Sequence, residues 1–224
     1  MIFIEIAKII NPIQNLFLRN FDLFTVGITI AAIGILGFMI YVSNRKSITN
    51  RTFLLFSVIT ILWGIFNYLS YQTTSPKTVL WFFRMVIFLG VWHSFAFFQF
   101  LYVFPEEKKD FPKWYNFLLI PYVALISILT LTPFVFSGIA QLSSSGGVSK
   151  TIVEKGVIFF VITVIILILS GVIIFIRKTL KTPDKQRDQY KFILIGAVIM
   201  FFLLFTFNLI LPAIFLNVRF IPLG

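Results

Sequence analysis

Six apolar runs, separated by short polar segments, organise the chain: Leu23–Val42, Thr52–Tyr71, Met85–Phe104, Trp114–Phe136, Val157–Ile176 and Phe192–Phe215. About 20 apolar residues, at about 1.5 Å rise per residue, cross a hydrocarbon core of about 30 Å. None of the six runs contains Asp or Glu. In lipid, a backbone that is neither helical nor part of a closed barrel leaves its peptide groups without hydrogen-bond partners. The pattern therefore predicts an all-α fold, a polytopic transmembrane helical bundle with six spans.

Residues 1–22 are also apolar, but Glu5, Lys8, Pro12 and Arg19 interrupt them, and they lack the basic start and small-residue cleavage site of a signal peptide. They read as an amphipathic segment in the membrane interface, leaving residues 23–224 as one transmembrane domain. The connection from Ser137 to Gly156 contains Ser143-Ser144-Ser145-Gly146-Gly147 and reads as a flexible loop.

Composition supports lipid as the solvent. Of 224 residues, 59% are hydrophobic and 12% charged, against about 25% charged in a soluble domain. The net charge of +11 suits membrane orientation and anionic headgroups, so the expected partner is the bilayer and not nucleic acid. The segments after the first, third and fifth runs hold 12 Lys and Arg, against 7 on the opposite side. The richer side is expected in the cytoplasm, which puts the N-terminus and Gly224 outside a plasma membrane. Arg219–Gly224 follows the sixth run without a charged tail or capping motif. The expectation is the front part of a longer protein, stopping before a seventh helix.

Candidate chemistry is sparse. The absence of Cys and the single His exclude disulfides, thiol catalysis, thiolate zinc sites and bis-histidine haem. No Lys falls within a run, so a retinal Schiff base has no attachment point, and no cofactor or metal is expected. Nucleotide-binding, zincin and nucleophile-elbow motifs are absent, as are paired intramembrane carboxylates. Trp63, Trp81, Trp92 and Trp114 read as interfacial belts and packing residues.

Polar residues within spans are costly and mark candidate sites: Asn67, Arg84, His93, Gln99 and Asn208. On the third helix, Gln99 lies about 60° from Arg84, and Trp92 about 20° from Gln99, so the three share a face. His93 lies about 180° from Arg84 on the same wheel. It reads either as a neutral imidazole hydrogen-bonded between helices or as a proton or ligand sensor. Arg84, at the expected outer edge of its span, reads as snorkelling to headgroups. Pro212, beside Asn208, is expected to kink the sixth helix. Arg84, Trp92, His93, Gln99 and Asn208 are thus the candidate ligand or signal-binding set, with no catalytic residue among them.

Asn50-Arg51-Thr52-Phe53-Leu54-Leu55-Phe56-Ser57, followed by Trp63, resembles the start of the second helix in the seven-helix sensory region at the N-terminus of bacterial histidine kinases. Three further segments agree with that family. Phe98-Gln99-Phe100 leading to Phe104-Pro105 resembles its third-helix ending, Arg187–Lys191 running into Gly196 its approach to the sixth helix, and Asn208–Pro212 its exit. The resemblance implies an external N-terminus, seven spans and a cytoplasmic signalling output, through which the protein would form a homodimer. The phosphoacceptor and ATP-binding regions are not in this chain, so kinase activity does not carry over to its residues. The expected function is a membrane-embedded sensory input for a small-molecule or lipid signal in a two-component system. A small transporter or a structural subunit of a membrane complex is the alternative, although no repeat relates Leu23–Phe104 to Trp114–Phe215.

Overall fold

The computed structural model describes residues 2–108, 110–142 and 148–206. Its helices are α1 (Ile2–Ser43), α2 (Ile48–Gln72), α3 (Pro76–Val103), α4 (Ile120–Thr130), α5 (Val157–Lys181) and α6 (Asp184–Phe205). A π-helical turn, Tyr115–Leu119, leads into α4, and a two-stranded antiparallel hairpin of β1 (Phe136–Leu142) and β2 (Val148–Val153) separates α4 from α5. The all-α expectation holds for the bundle, with the hairpin added.

Among the described residues, four helices are long and apolar enough to cross a membrane: Leu23–Ser43 within α1, α2, α3 and α5. The outward faces carry large apolar side chains such as Phe24, Phe38, Phe117, Leu180 and Phe192. Water would penalise that surface, whereas lipid accepts it. The chain is a membrane protein.

Six complete spans are not what the structure describes. The expected fourth span, Trp114–Phe136, ends as a helix at Thr130. Pro133 has no N–H to donate and pushes Thr132 away from helical angles. The Thr132 hydroxyl instead donates to Leu129 O at 2.7 Å. The remaining apolar helix, Tyr115–Thr130, is only about 24 Å long, short of the hydrocarbon thickness. At its other end Pro121 cannot donate to Phe117 O, and the backbone widens there, with Ile120 N–H donating to Tyr115 O. The sixth expected span begins within α6, but its latter part, with Asn208 and Pro212, lies outside the described residues.

The loop expected over Ser137–Gly156 is largely the hairpin, whose strands are Phe136–Leu142 and Val148–Val153. Thr151, Ile152 and Val153 are β-branched and suit a pleated surface. The Ser/Gly run, residues 143–147, is outside the described set.

α3 is the axis of the bundle. It buries more of its length than α1, α2 or α5, including Val79, Val91, Phe95, Phe98 and Leu101. It packs against α2 on one side and α4, α5 and β1 on the other, while α1 covers α2 and α6 lies on α5. Close approach is set by small residues. A Cβ on Gly37 of α1 would stand 2.7 Å from Ser57 Cβ and Oγ, and one on Gly171 of α5 would stand 3.2 Å from Phe98 Cα. Such contacts let helices associate in lipid, where apolar burial gives little preference for helix over solvent.

Candidate functional site

α1, α2, α3 and α6 line a partly open cavity of about 390 Å³. α2 lines it with Phe53, Phe56, Ser57, Thr60, Trp63, Gly64 and Asn67, positions that recur every three or four residues and so form one face of the helix. α1 contributes Thr25, Thr29 and Ile33, α6 contributes Met200 and Leu203, and α3 contributes His93. The imidazole lies between aromatic rings, 4.8 Å from Phe56 and 6.0 Å from Trp63 between centroids, the latter nearly parallel at 25°. Ring packing, not an interhelical hydrogen bond, holds it among the described residues. Asn67 also lines the cavity and is only 7% exposed.

The opposite face of α3 does different work. Arg84 does not snorkel. Its residue is 7% exposed, and its Nη2 and Nε donate to Phe136 O at 2.6 and 3.3 Å. The guanidinium lies 5.8 Å from the Trp81 ring, and the adjacent Phe83 meets Phe136 edge-on at 4.9 Å. The expectation failed because α3 starts at Pro76, with proline in its favoured first-turn position, so Arg84 is two turns inside the helix. Arg84 and Phe83 thereby clasp the base of the hairpin to the bundle. Trp92 packs into the cluster of Val91, Phe95, Phe98 and Tyr115 between α3, α4 and α5. Gln99 Oε1 and Tyr115 Oη are both buried without a hydrogen-bond partner.

The candidate set therefore splits, as the angular argument for α3 required. Arg84, Trp92 and Gln99 serve the hairpin and α4–α5 side, and His93 alone enters the cavity. Asn67, a polar intramembrane residue of α2, joins His93 there, and the face it shares with Thr60 and Ser57 was the signal in the sequence. Asn208 lies outside the described residues. Of the four tryptophans, Trp81 and Trp114 are about half exposed, as a belt requires, while Trp63 and Trp92 pack within the bundle.

A second constellation closes the other end of the bundle. α3 stops at Val103, followed by the cis Phe104–Pro105 bond. Helix ends leave carbonyls unsatisfied, and Lys178 of α5 donates to two of them here, Tyr102 O at 2.6 Å and Phe104 O at 2.8 Å. The same ammonium stands 3.5 Å from Glu106 Oε1. A cation at a helix C-terminus is also favoured by the helix dipole. Phe104 packs against Phe175 of α5 at 5.7 Å and Tyr190 of α6 at 5.3 Å. The start of α2 is tied to the same segment, with Ile48 N–H donating to Glu107 O and Thr49 Oγ1 to Glu106 O. Asn50 Nδ2 donates to Ile40 O at 2.7 Å and so brings in α1. Lys178 lay just beyond the expected fifth span, and charge counting alone assigned it to a solvated loop.

Asn50, Phe104-Pro105 and Tyr190 belong to three of the motifs that carried the family resemblance, and the fold brings them together at this junction. Residues 26–224 match the family described as the N-terminal 7TM region of histidine kinase. The chain belongs to that family. No curated protein and no solved structure matches it. Among the described residues, three of the family motifs thus meet at the junction of α1, α2, α3, α5 and α6, whereas the cavity residues, apart from those of α2, lie between motifs.

Proposed function

We propose that this 7TM region is the sensory input of a signal-transducing histidine kinase in a two-component system, reading a signal in the membrane or at its outer face. The observation that carries the reading is the junction at Phe104–Glu107, where the ends of α2, α3, α5 and α6 meet through hydrogen bonds, a salt bridge and edge-to-face rings. Any signal that favours one arrangement of α1, α2, α3 and α6 around the cavity over another displaces α6 relative to α3. Tyr190 on Phe104 transmits that displacement to the junction. A signal can shift the equilibrium only by its differential affinity for the two arrangements.

The excess of Lys and Arg at the junction end supports a cytoplasmic junction, an outer hairpin and an external N-terminus in the plasma membrane. Residues 1–22 would then approach the membrane from outside, and dimerisation would come through the output domain. Two measurements test this reading. Sequencing the reading frame past the Gly224 codon should find a further apolar span, then a phosphoacceptor helical hairpin and an ATP-binding domain; a stop codon there would move the transporter and complex-subunit readings ahead. A reporter inserted near Lys185 should be shielded in intact cells, and labelling from outside would invert the topology.

A further inference from the structure

The cavity between α1, α2, α3 and α6 has a composition that selects its occupant. We propose that it binds a neutral amphiphile, with a hydrogen-bond-donating head at the Asn67 end and an apolar tail at the Phe53 end; this rests on the sensory reading and gives that sensor its ligand class.

Neutrality is argued from the lining, which among the described residues contains no Asp, Glu, Lys or Arg. A charged group buried there would lose its hydration with no opposite charge to compensate. Head-group chemistry follows from how the lining hydroxyls are used. Thr29 donates to Thr25 O at 2.9 Å and Thr60 to Phe56 O at 2.7 Å. Each hydroxyl has one proton, so these walls offer lone pairs, and an occupant satisfies them only by donating. The Asn67 amide can both accept and donate, and His93, as a neutral ring, does likewise. Among the described residues neither side chain has a hydrogen-bond partner, and Asn67 is more than nine-tenths buried.

Direction follows from helix register. Gly37 faces Ser57, and Gly34 faces Ile61, so the antiparallel α1 and α2 bring Thr29 to the level of Phe66 and Thr25 about one turn beyond, past Asn67. His93 stacks on Trp63, one turn from Asn67. At the other end Ser57 is closed against Gly37, and Phe53, Phe56 and Met200 pack as one apolar group. The 390 Å³ holds on the order of a dozen non-hydrogen groups at about 30 Å³ each, which suits a dodecyl chain with a hydroxyl.

The test photolabels the full chain in lipid nanodiscs with a diazirine-bearing dodecanol and maps the modified peptides by mass spectrometry. Label is expected on segments 25–36 and 53–67, displaced by dodecanol but not by dodecanoate or dodecyltrimethylammonium. Asn67→Leu, and separately Thr60→Val, which keeps shape and removes the acceptor, should lower that labelling about ten-fold, the equivalent of one buried hydrogen bond of about 1.4 kcal/mol. Phe117→Leu, on the exposed face of the π-helical turn before α4, should leave it unchanged. Label spread over Phe117 and Leu118, or equal displacement by either ion, would overturn the proposal. So would protection of the two segments by another helix in the complete reading frame. The outcomes separate from those of the sensory reading: a frame without a kinase leaves cavity labelling to be judged by itself, and an intact kinase with no cavity labelling removes only the ligand class.

Discussion

At the scale of single residues, the same side chain does different work according to depth. An arginine at a membrane surface extends into water, but Arg84 begins two turns inside α3 and turns its guanidinium to Phe136 O. Arg84→Met keeps much of the apolar stem and removes the donor. A buried carbonyl left without its donor costs about 1–3 kcal/mol. The variant should therefore lower thermal stability in detergent by about that amount, and amide exchange should quicken selectively in strands β1 and β2. Uniform exchange across the bundle would mean that Arg84 does not hold the hairpin. His93 shows the complementary case, a polar ring kept in the bundle by Phe56 and Trp63 and open to the cavity.

At the scale of elements, separation between helices is fixed by the smallest side chains. α1 approaches α2 where Gly37 faces Ser57, with no room for a methyl group. Gly37→Ala must push α1 outward, and overpacking of this kind costs about 1–3 kcal/mol. The second change Ser57→Gly removes the clashing atoms and should recover most of the loss. Thermal unfolding of the two single variants and the double variant measures that coupling; additive losses would show that the two helices do not meet there. Proline acts on α4 in the same local way: Pro121 widens its start, Pro133 ends it, and the span expected from apolar length alone is cut short.

At the scale of the whole molecule, the junction around Lys178 joins elements far apart in the chain. Lys178→Met would leave Tyr102 O and Phe104 O without their charged donor. The expected result is a loss of about 2–3 kcal/mol in stability, between the values for a charged hydrogen bond and a broken buried pair. If this end is the output of the sensor, the variant also uncouples the signal: kinase autophosphorylation in membranes becomes independent of the stimulus while protein abundance is retained. A stimulus response of normal size in the folded variant would place transmission elsewhere. The sequence by itself determined the solvent, the helical class and the opposition of Arg84 and His93 on α3, because a bilayer leaves the backbone few solutions and a helix fixes angles locally. It also carried the family motifs. Only the tertiary structure decided which groups come together: Arg84 with a carbonyl 52 residues away, Lys178 with one 76 residues away, and Asn67 and His93 in the lining of one cavity. Those pairings depend on helix ends, depth and packing distance, and none of these is written in the spacing of apolar residues.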